Sequence, residues 1–241
     1  MAAELPSVAP PPAGGWGPWL GAVYRRLRER FGHRQWWPAQ DGPFEVIVGA
    51  YLTQNVAWVN VEKAIANLRA AGLLTPAALH AAPVEEVAAC IRPAGYYRQK
   101  AERLKIFCDY LFSRYGGSLD ALFARPLGEV RAELLALKGV GPETADSILC
   151  YAGGYPVMVV DAYTRRLFYR LGAFTRTDIS YDEMQAFFHR HLPADTGLFN
   201  DFHAQIVTVS NRICLKRGPR CRECPLADLC PRQGLDEGER P

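Results

Sequence analysis

Cys214, Cys221, Cys224 and Cys230 are spaced C-x6-C-x2-C-x5-C near the C-terminus. Four thiols in one short segment can surround a single inorganic centre, because iron–sulfur clusters and structural zinc both take cysteine thiolates. Disulfides are the poorer reading, since bridges this close in sequence close small loops and constrain the unfolded chain little. Spacing alone leaves zinc and iron–sulfur both open. Cys90, Cys108 and Cys150 lie in apolar helical patterns and read as reduced, buried residues. A reducing, cytoplasmic compartment suits both sets of cysteines.

A second chemical signal is the run Leu137-Lys138-Gly139-Val140-Gly141-Pro142-Glu143-Thr144-Ala145, which joins two helical patterns through G-V-G. Glycines let a backbone turn sharply and bring its N–H groups close to an outside partner. Pro142 suits the first position of the second helix, whose N-terminal amides favour a phosphate oxygen. Such a hairpin, through Gly139, Val140, Gly141 and Thr144, can grip a nucleic-acid backbone without reading sequence. A plain interhelical turn has the same local look. Asp161 follows four apolar residues and opens a helical pattern as Asp-x-x-Thr, which suits an N-cap.

Three of the five tryptophans fall in two short segments, Gln35-Trp36-Trp37-Pro38 and Trp58, the latter just after Leu52-Thr53-Gln54-Asn55. Core packing or a hydrophobic staple explains such placement as well as a stacking surface does. Electron-rich indoles can stack on a flat aromatic ligand, and a cationic one gains roughly 1–2 kcal/mol more by cation–π attraction.

The elements around these residues read as helices almost throughout. Helical spacing predicts helices over 16–31, 44–52, 56–71, 75–79, 83–91, 97–115, 127–137, 143–151, 162–171, 180–192 and 196–214. No strand alternation or internal repeat appears, so the fold class is all-α. Residues 1–15 read as a disordered lead and 233–241 as a frayed tail. The net charge of +3 says little, but residues 211–232 carry six Lys or Arg against two acids. Local basic runs of this kind, including Lys216 and Arg217, suit a phosphate backbone, although solvated helix faces look similar. No apolar run is long enough to cross a bilayer, and the first residues do not form a signal peptide. His203, in Phe202-His203-Ala204-Gln205, reads as a structural hydrogen-bonding residue, and His189 and His191 as surface residues.

The hairpin, the Gly153-Gly154-Tyr155-Pro156 linker, Val160-Asp161 and the cysteine loop, in this order, resemble the helix–hairpin–helix DNA glycosylases of the endonuclease III family over about residues 44–230. The resemblance implies a two-lobed fold. One lobe is a six-helix bundle over 38–155 carrying the hairpin. The other joins 16–37 to 156–231 around a [4Fe–4S] cluster on the four cysteines, with 232–241 as a tail. It implies that Asp161 is the catalytic carboxylate, stabilising positive charge on the sugar and orienting the attacking water. Gln54 and Asn55 stand where members present a polar wedge into the gap left by the flipped base. Bifunctional members carry a Schiff-base lysine two residues after the second hairpin glycine, where this chain has Glu143. Glutamate forms no imine, so strand cleavage is not expected.

The segments W-W-P, L-T-Q-N and R-P-x-G-Y-Y-x-Q-K-A (residues 92–101) resemble a subgroup, the endonuclease-III-like 3-methyladenine DNA glycosylases. Trp36, Trp37, Pro38 and Trp58 are then the base pocket. Members of that subgroup can lack the cluster cysteines, whereas this chain has all four. The expected protein is a monomeric, monofunctional base excision repair glycosylase acting on double-stranded DNA, with an alkylated purine as substrate and no membrane partner. Two alternatives stand beside it. One is a glycosylase and abasic-site lyase on oxidised pyrimidines. The other is a non-catalytic lesion-binding or redox-sensing protein.

Overall fold

The computed structural model describes residues 7–34 and 37–236. Among these, twelve α-helices, numbered here in chain order, and no sheet form two compact units. One unit comprises residues 37–155, and the other 1–36 with 156–241.

In the 37–155 unit the central element is α2 (Pro43–Leu52), buried from Phe44 to Leu52. A helix apolar on every side has to be surrounded. α3 (Trp58–Ala70), α6 (Tyr97–Tyr115) and α9 (Pro142–Ser147) pack against it, and α4 (Pro76–Ala81), α5 (Val84–Cys90), α7 (Leu119–Phe123) and α8 (Leu127–Ala136) complete the unit. Each shows one buried face, such as Val61, Ala64, Ile65 and Leu68 of α3 or Ala101, Leu104, Phe107, Cys108 and Leu111 of α6. α9 continues into a π-turn, Ile148–Ala152. The buried Glu45 is satisfied locally: its carboxylate accepts the N–H groups of Gln40 and Asp41 at 2.8 Å each.

In the other unit α1 (Trp16–Phe31) buries Trp16, Leu20, Val23 and Leu27, an i, i+4, i+7, i+11 stripe. It packs with α10 (Ala162–Arg170), α11 (Tyr181–His191) and α12 (Thr196–Arg212). Side chains cap three of them: Asp161, Ser180 and Asp195 accept from Thr164, Glu183 and Leu198 N–H groups. The core is aromatic, with Phe168 in edge-on contact with Trp19, Phe187, Phe188 and Phe202. Fully burying each ring contributes about 1.5–3 kcal/mol.

The helices over 16–31 and 97–115 have the bounds that periodicity predicts; other ends move by one or two residues, as helix termini do. Three expectations need correction. α7 is a five-residue helix capped by the Ser118 hydroxyl, too short to show a period. Residues 7–9 are not a loose lead. Ser7 N–H donates to Glu183 at 2.6 Å, and Ala9 and Thr175 close backbone bonds around it at 2.9 Å. The tail is anchored as far as Leu235, which is buried, while Gln233 donates to the carbonyls of Arg170 and Phe174. Residues 1–6 and 237–241, also assigned to those ends, lie outside the described residues.

Candidate functional site

The hairpin is the turn between α8 and α9. Gly139 sits at φ +86°, and the Val140 N–H closes the turn onto Leu137 O at 3.1 Å. The Val140 side chain is buried, so this residue plugs the hairpin and its amide already has an acceptor. Gly139 and Gly141 amides have no such bond among the described residues, which leaves them as the donors a phosphate could take. The flanking helices are locked by a bidentate pair: Arg131 donates to the fully buried Asp146 at 2.8 and 3.1 Å.

Gln54 ties this hairpin to the turn after α2. Its Nε2 donates to Gly139 O at 3.1 Å and Thr144 Oγ1 at 3.0 Å, and its Oε1 accepts from Arg103 at 2.8 Å. Engaged at both ends, this side chain braces the turn against the hairpin. Asn55, at φ +56° and exposed, is the residue of this pair left facing solvent. Tyr96, 76 % exposed and at φ +45°, is a second candidate contact that pattern reading passed over. An exposed aromatic in left-handed backbone was its only signal, and only the structure supplies that.

Arg103 lies directly beneath Gly139, so a Cβ there would land on its side chain. Arg103 has little freedom to retreat while bonded to Gln54, and alanine also resists a φ of +86°. Gly139→Ala is therefore expected to cost about 1–3 kcal/mol, lowering the melting temperature by several degrees and weakening binding to undamaged duplex. Thermal melts and salt titrations of DNA binding read both effects.

Glu143 is exposed in the first turn of α9, and its carbonyl accepts from the Ser147 hydroxyl at 2.7 Å. The chain has five lysines, Lys63, Lys100, Lys105, Lys138 and Lys216. Burial, followed by the Arg103 charge, lowers Lys100 to about 8, which would ordinarily mark a nucleophile. Its geometry says otherwise, because Nζ donates to three backbone carbonyls: Leu52, Gln54 and Ala94. Lys105 is likewise engaged by the carbonyls of Leu79, His80 and Ala82. Lys63, Lys138 and Lys216 are exposed.

The aromatic residues of the 37–155 unit come together. Trp37 meets Trp58 edge to face, centroids 4.9 Å apart, and Tyr151 at 6.1 Å. Trp37 lies against Gly49, where any Cβ would collide with its ring. Tyr151 belongs to the π-turn, and it is the member of this group that helical spacing alone did not single out. The two indoles pack on each other rather than standing apart as a ready slot. Pro38 is exposed, and Trp36 lies outside the described residues.

In the other unit Asp161 caps α10. Its Oδ1 accepts from Thr164 N at 2.7 Å and Thr164 Oγ1 at 2.9 Å, which fixes the carboxylate plane. Its Oδ2 lies 4.0 Å from Nε2 of the buried His203, whose Nδ1 is 3.0 Å from Val159 O. His203 thus ties to the apolar run before Asp161 and lies beside the carboxylate. His189 also does structural work: its Nε2 accepts the Met158 N–H at 2.9 Å and its ring stacks on Phe199.

Cys214, Cys221, Cys224 and Cys230 line one cavity walled by Leu167, Leu171, Ile213, Leu226 and Leu235. Arg170 reaches into this shell from α10, donating to Cys214 Sγ at 3.3 Å and Leu215 O at 2.7 Å, while the Cys230 thiol donates to Arg170 O at 3.2 Å. Arg166 holds Cys214 O and Ser210 O at 3.0 Å each. Burial, with the neighbouring cysteines, raises Cys224 to about 11, so a cationic centre would be needed to hold this thiol as a thiolate. Among the described residues no three potential ligands converge closely enough for one metal ion. Lys216 and Arg217 project into solvent beside this loop. No helix among the described residues is long and apolar enough to cross a membrane.

Comparison with known proteins follows the same lines. Residues 48–194 match the family of HhH-GPD superfamily base excision DNA repair proteins. A Methanocaldococcus jannaschii protein provisionally named a DNA repair glycosylase is 41 % identical over 209 residues, 86 % of this chain and 94 % of that one. Endonuclease III of Escherichia coli K12 is 31 % identical over 86 % of this chain and 92 % of its own length. A non-covalent endonuclease III–DNA complex superposes with a TM-score of 0.75 at 27 % identity, covering 90 % of this chain and 96 % of the other. The H. pylori 3-methyladenine DNA glycosylase bound to 1,N6-ethenoadenine gives 0.69 at 29 %, covering 81 % and 96 %. With the family matched over more than half its length, this chain belongs to the HhH-GPD superfamily of base excision DNA repair proteins, within the endonuclease III family of DNA glycosylases.

Proposed function

We propose that this glycosylase is monofunctional, that it releases alkylated purines from duplex DNA with water as nucleophile, and that its four loop cysteines hold a [4Fe–4S] cluster. The observation that carries the first claim is Glu143 in the first turn after the hairpin, where the lyase members carry an amine. The lysine environments support it, since the two inward-lying ammonium groups, Lys100 and Lys105, are engaged by backbone carbonyls and offer no lone pair.

Asp161 is the catalytic carboxylate in this reading. As the glycosidic bond lengthens, positive charge grows on the sugar, and a carboxylate held by Thr164 stabilises it without reorganising. The same group orients the water that attacks. Trp37, Trp58 and Tyr151 provide aromatic faces for a flipped base, with Pro38 and Trp36 beside them in sequence. A purine alkylated on a ring nitrogen carries positive charge, so it binds such faces better than a neutral base and also leaves more readily. Asn55 and Tyr96 are assigned to the gap left in the stack, and Gln54 to bracing them against the hairpin. Gly139, Gly141 and Thr144 with Lys216 and Arg217 are assigned to phosphates; the Val140 amide is withdrawn from that set.

Support for the cluster comes from the four cysteines lining one apolar-walled cavity, the thiolate set that such a cluster takes as ligands. When bound, the cluster supplies an electron-exchanging inorganic centre and cross-links the loop; base removal itself is assigned to protein groups.

The test is a screen of free-base release from duplexes carrying alkylated, oxidised, deaminated or mismatched bases. Release from methylated purines is expected to be the fastest. Release from oxidised pyrimidines alone would overturn the substrate assignment, and tight lesion binding with no release from any duplex would overturn the enzymatic one.

A further inference from the structure

Lys100 is 2 % exposed on α6, and its ammonium donates to Leu52 O at 2.9 Å, Gln54 O at 3.0 Å and Ala94 O at 2.9 Å. Three donors and no acceptor are all an ammonium has, so these bonds use its full capacity. The acceptors come from two different loops. Leu52 ends α2 and Gln54 lies in the turn that follows it, while Ala94 belongs to the short 3-10 turn Arg92–Ala94 that precedes α6. One buried cation therefore joins two surface loops that have no sequence continuity.

Each of these loops carries a non-glycine residue at positive φ, Asn55 at 56° and Tyr96 at 45°. Among the described residues only Arg232 shares that property. Left-handed backbone costs such residues about 1–2 kcal/mol each and persists only where the surroundings over-determine it. Here both strained residues direct their side chains to solvent, Asn55 exposed and Tyr96 76 % exposed. Packing gains little from either, so the strain is not recovered in the core. Withdrawn from the turn, Lys100 would leave three inward carbonyls unsatisfied at the base of both loops.

We propose that Lys100 is a positioning residue whose ammonium sets the two loops as one rigid edge, so that Asn55 and Tyr96 enter the duplex together at the lesion. The proposal rests on the assignment of Asn55 and Tyr96 to the gap left by the flipped base. It predicts that loss of the ammonium uncouples lesion recognition from general DNA binding, which depends on the hairpin and the basic loop.

The experiment compares Lys100→Met and Lys100→Arg with wild type in the full chain. One readout is affinity for an intact duplex; the other is affinity for the same duplex carrying a stable abasic-site analogue, with 2-aminopurine fluorescence beside the lesion reporting unstacking. Lys100→Met is expected to keep intact-duplex affinity within about twofold while losing about tenfold in lesion preference and most of the fluorescence rise. Adding Asn55→Ala to Lys100→Met is expected to lower the preference no further, because both act through one edge. A folded Lys100→Met with wild-type lesion preference would overturn the proposal even if it melted earlier, since a purely structural lysine predicts that pattern. Should Lys100→Met not fold, Lys100→Arg is read in its place. Hydrogen exchange on the wild type also decides the point: residues 53–57 and 92–97 should gain protection together on the lesion duplex, and independent protection would contradict a single edge. None of these readouts needs base release, so they report on Lys100 even if the glycosylase reading fails.

Discussion

Asp161→Asn is expected to slow base release by roughly a thousandfold while changing the melting temperature by no more than about two degrees. The two halves of this expectation have separate physical origins. Asn and Asp are equally good N-caps, and an asparagine Oδ1 can accept the same bonds from Thr164 N and Oγ1 that Asp161 now takes. α10 therefore keeps its cap, and with it the Arg166 and Arg170 contacts to the cysteine loop. What disappears is the negative charge opposite the developing sugar cation and the ability to orient or deprotonate water. Single-turnover release from a methylated duplex, alongside a melt, separates chemistry from folding. A variant within tenfold of wild type would remove Asp161 from the mechanism. A large drop in melting temperature would instead mean that the carboxylate's main task is structural.

The second large effect concerns the cysteine loop. Cys224→Ala is expected to strip the chain of iron and to lower its melting temperature by about ten degrees or more, because metal binding and local folding share one free energy. Residues 214–230 contain little regular structure, only the 3-10 turn Cys221–Glu223 and scattered backbone bonds. Their packing centre is the cavity between the four thiols, and alanine at one corner removes a covalent strut from it. The damage is expected to spread into α10 and the 233–235 segment, since Arg170 bonds Cys214, Leu215 and Lys216 on one side and Gln233 on the other. Iron and sulfide analysis on wild type and variant provides the check. Four iron and four sulfide per wild-type chain are expected from the cluster. One zinc per chain, or full iron retained by Cys224→Ala, would contradict the assignment.

Much of the helical framework was legible from spacing. α1 and α6 are long, have clean apolar stripes and end at glycines, so period and punctuation agree. α7 was illegible, because five residues hold little more than one turn and only Ser118 announces it. The chain ends were misjudged for a related reason: Ser7 and Leu235 are secured by partners such as Glu183 that lie far away in sequence. Among the candidate residues, Asp161 reads locally as an N-cap and takes its catalytic assignment from the family resemblance, while His203 reads as structural and its place beside Asp161, 42 positions earlier, is a tertiary contact that local pattern does not carry. Gln54 is placed at the wedge by the family resemblance; its bonds to Gly139 and Thr144 are long-range and leave no trace in local pattern. Lys100 shows the same limit, for its three acceptors lie up to 48 positions away and leave no trace in local pattern.

In the proposed reading, Glu143 at the lyase position leaves no amine poised at the sugar, so no imine forms. The most direct measurement is incubation of the wild-type protein with abasic duplex DNA and borohydride, scored for covalent protein–DNA adduct and strand scission. Neither is expected above the level given by Asp161→Asn. A strong adduct in wild type, mapped to any of the five lysines or to the N-terminal amine, would contradict a water-dependent, monofunctional enzyme.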